Sequence, residues 1–417
     1  MKLNLQNYKT LIIVILFFVV EYIFLKDLPF FWDAVSKSMR AQWFYETNFS
    51  QLVLPVNLNS GHPPFWPVLI AVWWKSFGVT LAKSRVLLLI INILVGFQLI
   101  KLFKNTFPKK QNHLLVLIIL LEPTLLAQTT IFNNDMILLL FTLMAYNIIV
   151  FSKEKKELLL TFAFTGILFS NLRGMLLLFC LLVIQLIFIR YKLSTKKFNY
   201  KPYLISILFF SVFLIYQYSV LGWIIKTPSV NWSEQRNVAD VYNILKNIAS
   251  IGRNLLDYGR IVLFGITFYL LYFLFKKKQF HPSKTSIKLM ISIVVFTVGM
   301  SIFFMFFTNP IGHRYYMISY ILVVLLFLVL VDNYKTILNY KRLYVIVIIA
   351  FITGHFWIYP STISQGWDSS LAYLNYFKLR DDIELFIEKN KILKENIGTN
   401  LPLNEKEYSD LLKVDEK

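Results

Sequence analysis

Long apolar blocks separated by short polar segments make up most of this chain. The blocks fall at roughly 11–25, 84–103, 114–127, 136–151, 158–170, 175–189, 203–221, 260–275, 287–307, 315–331 and 343–358. A stretch of about 20 apolar residues crosses a bilayer as an α-helix, and several blocks approach that length. The pattern predicts an all-α polytopic membrane protein with about eleven transmembrane helices.

One further apolar run, from Phe65 to Trp74, is too short to span a bilayer comfortably. Its tryptophans suit the headgroup level, so we predict an interfacial helix. Clusters of Lys and Arg then share one side of the membrane, at 104–110, 153–156, 190–201, 276–284 and 335–342. Because cytoplasmic loops are enriched in these residues, that side is predicted to be cytoplasmic, with the N-terminus also inside.

The remaining loops then lie on the extracytoplasmic side. They are a long first loop, 26–83, the connections 128–135, 170–174, 222–259 and 308–314, and the tail. All nine tryptophans fall on or next to this side, which predicts an aromatic-lined cavity there. In the tail, apolar positions recur at a roughly helical period from Ser369 to Lys391. We therefore predict a transmembrane domain, 1–358, and a small C-terminal extracytoplasmic helical tail, 359–417.

Composition and charge narrow the class of protein further. Hydrophobic residues are 57% of the chain and charged residues 16%, which excludes a soluble globular protein. The net charge of +20 sits mostly in the short loops between apolar blocks, where it sets topology, so we expect no nucleic-acid partner. The single cysteine, Cys180, excludes an intrachain disulfide and a Cys-based zinc site.

Three residues on the predicted outer side are candidates for catalysis. Asp33 lies in an apolar setting, where a carboxylate is costly unless it is paired or used, although it could cap a helix that begins near Ala34. His62 precedes two prolines, so a rigid turn presents its imidazole, which could equally hold the loop in place. Asp135 begins the fourth block and could simply cap it.

Two acids lie within apolar blocks. Glu21 and Glu122 are functional candidates because an ionisable group in a membrane span is expensive. Pro123 follows Glu122, and a backbone made irregular by that proline could absorb the carboxylate structurally.

Cationic and aromatic residues on the predicted outer side are candidates for substrate binding. Arg173 lies in a tight turn, and His313, Arg314 and Tyr315 lie in another. Arg clamps a phosphate through paired donors, although Arg173 could also be an interface anchor. Trp32, Trp43 and Trp66 offer aromatic faces for a sugar or a prenyl chain.

These motifs together resemble GT-C membrane glycosyltransferases, in particular the group with the protein O-mannosyltransferases and the lipid A aminoarabinose transferase. The resemblance rests on an early Asp in a long first outer loop, on His62-Pro63-Pro64 followed by Phe77-Gly78, on Arg85, and on a later outer His313-Arg314-Tyr315. It covers about the first 190 residues and the segment around 309–330. Family members often carry Asp-Glu where this chain has Asp33-Ala34, so the second acid is absent here.

The resemblance implies sugar transfer from a polyprenyl-phosphate-linked donor to a glycan, lipid or protein acceptor, at the extracytoplasmic face of a membrane. By position, Asp33 matches the family's catalytic carboxylate and would act as the base of an inverting reaction. Arg314 with Arg173 or His313 would hold the phosphate, Asp135 would orient the loop or acceptor, and His62 would fix the loop. No cofactor is implied with certainty, and a divalent metal stays open. The bacterial inner membrane is the expected location.

Two other classes of protein fit parts of the pattern. A lipid-linked sugar flippase or secondary transporter would place its acids at mid-membrane, which keeps Glu21 and Glu122 relevant. A noncatalytic envelope scaffold would need neither Asp33 nor the cations.

Overall fold

The computed structural model of the protein describes residues 5–398 apart from short gaps. The gaps are 109–112, 153, 155, 196, 230–232, 280, 309–310, 335–338, 361–362, 364–365 and 394–396. Residues 399–417 of the predicted tail, with Trp232, Asn309 and Pro310 of the predicted outer loops, lie outside the described part.

Sixteen α-helices are described, and they confirm the predicted all-α class. They are α1 Leu5–Leu25, α2 Asp33–Glu46, α3 Phe65–Phe77, α4 Leu81–Thr106, α5 Val116–Leu120, α6 Pro123–Thr130, α7 Asp135–Phe151, α8 Glu157–Ser170, α9 Arg173–Arg190, α10 Lys201–Leu221, α11 Val241–Leu256, α12 Arg260–Lys276, α13 Lys284–Met305, α14 Met317–Asn333, α15 Tyr340–Gly354 and α16 Asn375–Lys389. Within the described ranges there is no strand, only an isolated bridge between Val238 and Phe307.

Every predicted apolar block contains a helix, but the helices differ in length. Six are long and apolar enough to cross a membrane, and a seventh crossing arises if α11 and α12, bent by 80°, form one span. The helices α7 and α8 are apolar but shorter. The polytopic fold is therefore confirmed, and the count of eleven crossings stays a prediction.

The block at 114–127 is broken because of its proline. The short helix α5 ends before Glu122, and α6 starts at Pro123, a residue that tolerates the first helical position because it lacks an N–H. The Glu122 carboxylate accepts a hydrogen bond from the N–H of Leu125 at 2.7 Å and lies 2.6 Å from the guanidinium of Arg260 in α12. Glu122 and Arg260 are both fully buried. The structure thus gives Glu122 the structural role that the sequence left open.

The helix α14 forms the centre of the bundle. Nearly all of its residues are buried, and it packs against α7, α12 and α13. A helix that is apolar all round is buried all round, which is what the continuous run of residues 317–331 requires. The 3₁₀ turn His313–Tyr316 that precedes it is thereby fixed in the middle of one end of the bundle.

Short helices and loops cover that same end, which the sequence analysis places outside. The helices α2 and α3 of the first loop pack on each other, and α3 also packs on α4. Pro63 and Pro64 precede α3 as predicted, and Pro64 occupies its N-cap position. These elements bring the first loop over the turn that carries Arg314.

The tail packs on the same end of the bundle. After a 3₁₀ turn, Leu371–Leu374, it forms α16, in keeping with the predicted helical repeat. Tyr373 donates a hydrogen bond to the hydroxyl of Thr130 at 2.8 Å, and its ring lies 4.9 Å from that of Phe31. The domain boundary at 358 stays a prediction, but the described part of the tail contacts both α6 and the first loop.

Candidate functional site

Arg314 is the centre of a group of partly buried ion pairs at the covered end of the bundle. Its Nη2 donates a hydrogen bond to Asp33 Oδ2 at 2.7 Å. Its Nη1 lies 2.8 Å from Asp368 Oδ2 and 3.4 Å from Asp135 Oδ2. Three carboxylates from three distant segments therefore share one guanidinium, and the side chain of Arg314 is only 17% exposed.

Asp135 and Arg173 form a second ion pair in contact with the first. Arg173 donates to Asp135 Oδ1, and Asn133 donates to Asp135 Oδ2 at 3.0 Å. The guanidinium of Arg173 also lies 4.2 Å from the centre of the Tyr315 ring. We call Asp33, Asp135, Arg173, Arg314 and Asp368 the charged cluster. The structure thus brings together four of the predicted charged residues and adds Asp368.

Neither aspartate caps its helix. Asp33 and Asp135 are the first residues of α2 and α7, and their N-cap neighbours, Trp32 and Asn134, form no side-chain cap. Both carboxylates are directed at arginines instead. The capping role that the sequence left open for them is therefore wrong.

One face of α2 adds two buried cations. Lys37 and Arg40 follow Asp33 at helical spacing and are 7% and 4% exposed. Lys37 is held by no hydrogen bond or ion pair within the described part of the chain. Burial, followed by the charge of Arg40, lowers the pKa of Lys37 to about 7, although Asp33 opposes the shift.

The same cations determine the state of Asp33. Burial alone would raise the pKa of its carboxyl, but the charges of Arg314 and Lys37 outweigh burial and lower the pKa to about 2. Asp33 is therefore a carboxylate at every physiological pH. As long as Arg314 holds it, however, it is a weak base.

His62 lies next to the charged cluster and stays neutral. Its Nδ1 accepts a hydrogen bond of 3.5 Å from the N–H of Leu172, which ties the first loop to the turn before Arg173. Burial, followed by the charges of Lys37 and Arg236, holds the pKa of His62 well below its usual value. This geometry supports the loop-fixing role and gives His62 no proton to donate at neutral pH.

A cleft of about 320 Å³ opens directly beneath the charged cluster. Its head is formed by Asp135, Arg173 and Arg314, and its walls are apolar side chains of α7, α9, α13 and α14. The wall residues are Leu138, Leu139, Leu177, Met300, Met317 and Ile318. A cavity with cations at one end and hydrocarbon along its length suits an amphipathic anion.

Several predicted binding residues lie elsewhere. His313 is 1% exposed, and its Nε2 lies 2.7 Å from Asp257 Oδ2, so it anchors the turn instead of lining the cleft. Trp66 is 1% exposed and packs on Phe132. Trp43 belongs to a small apolar cluster with Phe44 and Leu54. Of the three tryptophans predicted to bind substrate, only Trp32, 37% exposed at the head of α2, presents a substantial open face.

A second, smaller cleft of about 230 Å³ lies between α1 and α4 and contains Glu21 and Arg85. Glu21 accepts a hydrogen bond from Thr129 at 3.0 Å. Arg85 donates to the carbonyl oxygens of Leu28 at 2.8 Å and Thr130 at 2.9 Å. Arg85 therefore fixes the start of the first loop, where Asp33 lies.

Sequence reasoning missed Asp368, Lys37 and Arg40. The spacing of Lys37 and Arg40 from Asp33 on the predicted helix was a usable signal, because it places all three on one face. Asp368 carries no such signal, since its neighbours in the sequence are unrelated to those in space. Among the described residues, no three His, Cys, Asp or Glu side chains come together as a metal site.

The fold and site define an integral membrane protein with a charged site at one end of its helical bundle and an apolar cleft beneath it. Residues 61–216 match the sequence family described as dolichyl-phosphate-mannose-protein mannosyltransferase. The fold is similar to the crystal structure of ArnT from Cupriavidus metallidurans bound to undecaprenyl phosphate, with a TM-score of 0.50 and 14% sequence identity. The similarity covers 84% of this chain and 71% of that one. No curated protein matches the chain.

These findings in sequence and in fold agree with the motifs. The resemblance to GT-C membrane glycosyltransferases is therefore confirmed.

Proposed function

We propose that the protein transfers a sugar from a polyprenyl-phosphate-linked donor to an acceptor at the extracytoplasmic face of the bacterial inner membrane. The observation that carries the proposal is the bond between Arg314 and Asp33 at the head of an apolar cleft. Arg314, which can bind a phosphate, and Asp33, which can accept the proton of a hydroxyl group, are thereby held side by side. The ArnT structure, with its bound undecaprenyl phosphate, supports a polyprenyl-linked donor.

The lining of the cleft matches the two parts of such a donor in chemistry, because mostly apolar side chains meet two guanidinium groups. The first prenyl units lie along the apolar walls that α7, α9 and α14 provide. The phosphate lies at the head, where Arg314 and Arg173 face the cleft and Lys37 and Arg40 add positive charge from α2. The cluster and α2 together hold Arg314, Arg173, Arg40 and, below its pKa of about 7, Lys37 against the carboxylates of Asp33, Asp135 and Asp368, and this set of cations favours an anion.

Asp33 is the base in this mechanism. It removes the proton of the acceptor hydroxyl as the oxygen attacks the anomeric carbon, and the bond from that carbon to the phosphate oxygen breaks with inversion. Arg314 stabilises the charge that develops on the leaving phosphate. The negative charge of the bound phosphate offsets the positive charge of Arg314 near Asp33. The pKa of Asp33 therefore rises from about 2 when the donor binds, and Asp33 becomes a stronger base.

The other predicted residues support these two. Asp135 holds Arg173 and contacts Arg314, so it orients both guanidinium groups. His62 keeps the first loop against the turn before Arg173. Trp32 offers its open face to the sugar at the edge of the site. The acceptor is a glycan, a lipid or a protein, and the membrane lipid surrounds the bundle.

The transporter alternative rests on Glu21 and Glu122. Glu122 is fully buried and engaged by Arg260, which supports a structural role for this acid instead of a role in transport. The scaffold alternative leaves a cluster of buried charges without a use, and such a cluster is costly to maintain.

Mass spectrometry of carrier-linked sugars and surface glycans tests the proposal in cells. We expect deletion of the protein and Asp33→Asn to accumulate the same carrier-linked sugar and to lose that sugar from a surface glycan. Asp27→Asn is the matched control, because Asp27 lies in the same loop and its side chain is 79% exposed. Glycans that change on deletion but not in Asp33→Asn would overturn catalysis through Asp33.

A further inference from the structure

A short segment of the tail, residues 366–370, reaches into the charged cluster, and we call it the tail arm. Its backbone carbonyls are held at three of its five positions. Tyr258 donates a hydrogen bond to the carbonyl of Gly366 at 3.0 Å, Gln128 to that of Asp368 at 2.7 Å and Thr124 to that of Ser369 at 3.1 Å. The three donor residues lie in α6 and in the turn before α12, so the backbone of the tail arm is fixed against the helices that surround the site.

The arm is also fitted closely to the turn that carries Arg314. Gly366 lies against the ring of His313 so tightly that a side chain at position 366 would overlap it. This contact fixes the position of the tail arm along the turn. Asp368, two residues after Gly366, is thereby placed beside Arg314.

The side chain of Asp368 has two partners. Its Oδ2 lies 2.8 Å from Arg314 Nη1, and its Oδ1 accepts a hydrogen bond of 3.0 Å from the hydroxyl of Ser369. It is 18% exposed, whereas Asp135 is 1% exposed and is locked by Arg173 and Asn133. Of the two carboxylates near Nη1, Asp368 is therefore the one that can move.

A phosphate that binds Arg314 must compete with these carboxylates. Asp33 takes Nη2, which leaves the Nη1 edge, where Asp368 lies closest. Two anions on one edge repel each other, so the weaker-held one gives way. Ser369 and the open side of the arm supply Asp368 with hydrogen-bond partners once it leaves Arg314.

We propose that Asp368 is a positioning residue of the tail, which holds the Nη1 edge of Arg314 in the free enzyme and is displaced by the donor phosphate. The inference rests on the proposed function, since it concerns the donor of that reaction. In this way the tail arm keeps Arg314 in place against Asp33 and sets the affinity for the donor.

If the donor phosphate displaces Asp368, removing the charge of Asp368 should increase the affinity for the donor instead of reducing it. Asp368→Asn removes the competing charge, so polyprenyl phosphate should bind about fivefold more tightly, the effect of one partly exposed ion pair. Ser369→Ala removes a hydrogen bond that Asp368 accepts while it contacts Arg314, and it keeps both the charge of Asp368 and the carbonyl that Thr124 contacts, so it should leave the affinity nearly unchanged. A purely structural role for Asp368 predicts weaker binding in Asp368→Asn.

Equilibrium binding of undecaprenyl phosphate to the purified full-length protein in lipid nanodiscs tests this inference. Asp381→Asn is the matched control, because it removes the same charge from the tail at a side chain that is 61% exposed and pairs with Arg380. Undecaprenol, which lacks the phosphate, is the control ligand and should bind all variants alike.

The outcomes separate the inference from the function. Tighter binding by Asp368→Asn, with nearly unchanged binding in Ser369→Ala and in Asp381→Asn, supports the displacement. Binding by the wild type with unchanged or weaker affinity in Asp368→Asn overturns the displacement alone. A wild type that does not distinguish undecaprenyl phosphate from undecaprenol overturns the proposed function, and the inference with it.

Discussion

At the scale of single residues, the guanidinium of Arg314 connects the base, the cleft and the tail. It contacts Asp33 through one nitrogen and Asp368 through the other, which needs a planar group with donors on two edges. A lysine supplies one point of charge and cannot hold both carboxylates in the same geometry.

Arg314→Lys should therefore lower kcat about 100-fold, with a smaller effect on the affinity for donor. The expected size is that of removing one charge-stabilising group from an active site. Steady-state kinetics of purified Arg314→Lys measures the effect. Arg342→Lys is the control, because Arg342 is an exposed residue near the start of α15. An Arg314→Lys enzyme with unchanged kcat would contradict the role of the paired contacts.

Lys37 should give the reaction a pH dependence near neutrality. Its pKa of about 7, lowered by burial and then by Arg40, means that its charge is lost as the pH rises through that value. The donor phosphodiester does not titrate in this range, so the KM for donor should rise above pH 7. Lys37→Met should show a high KM at every pH between 6 and 9. A wild-type KM that is flat over this range would contradict the account.

The same shift has a consequence for stability with a definite sign. The unfolded chain keeps the ordinary pKa of lysine, so between pH 7 and that value it binds more protons at Lys37 than the folded protein does. Stability from this residue therefore rises with pH, and the cost of burying the charge is greatest below pH 7. Lys37→Met should melt at a higher temperature than the wild type at pH 6, and thermal unfolding in detergent measures the difference.

The sequence alone could predict residues whose setting is anomalous. Two charged residues have an unusual sequence setting: Asp33 follows three aromatic residues and precedes Ala34 and Val35, and Arg314 follows Gly312 and His313. In the structure, Nη2 of Arg314 lies 2.7 Å from Oδ2 of Asp33. His313 is equally conspicuous but binds Asp257, because a histidine in a turn satisfies a buried carboxylate as readily as a substrate. Asp368 could not be predicted, since only the folded tail gives it a partner.

At the scale of elements, one buried ion pair ties the break between α5 and α6 to the rest of the bundle. Glu122 caps α6 and pairs with Arg260, whose guanidinium lies 3.9 Å from the centre of the Tyr320 ring in α14. Arg260 also donates a hydrogen bond to the hydroxyl of Thr124, and that hydroxyl donates to the carbonyl of Ser369 in the tail arm. One pair thus connects the broken helix, the central helix and the tail.

Removing one member of this pair should be strongly destabilising. Glu122→Gln retains an acceptor for the α6 cap but leaves Arg260 charged and buried, at a cost of about 3–5 kcal/mol. Adding Arg260→Met should recover much of that loss, because no charge is then left unpaired. Chemical unfolding of the single and double variants measures the free energies. A double variant as unstable as the sum of the singles would contradict the coupling.

Helices were the most predictable part of the fold. The sequence predicts spans at 84–103 and 203–221; α4 extends a few residues beyond the first at both ends, and α10 extends beyond the second at its N-terminal end. Phe65–Trp74 was expected as a short separate helix, and α3 is one. The break at Glu122 was harder to place, because apolar side chains continue on both sides of it and only the proline marks the position.

At the scale of the whole molecule, the proposal depends on which side of the membrane the charged cluster faces. The distribution of Lys and Arg predicts that it faces outward. A Cys180→Ser background permits a direct test, since Cys180 is the single cysteine of the chain. Glu46 at the end of α2 and Lys277 after α12 are both exposed and lie on opposite predicted sides.

A membrane-impermeant maleimide applied to intact cells with a permeabilised outer layer should label Glu46→Cys and leave Lys277→Cys unlabelled until the cells are opened. The reverse pattern would place the cluster in the cytoplasm and contradict the proposed acceptor side. Labelling of both before opening would mean that the cells had lysed, which a cytoplasmic enzyme marker checks.

The transfer reaction itself is the most direct test of the account. Purified wild type and Asp33→Asn in nanodiscs would receive the lipid extract and the envelope fraction of deletion cells, and mass spectrometry would follow the carrier-linked sugars. The account predicts that the wild type consumes one carrier-linked sugar and releases an equal amount of polyprenyl phosphate, whereas Asp33→Asn does so at least about 100-fold more slowly. Equal consumption by the two proteins, or none by the wild type, would contradict it.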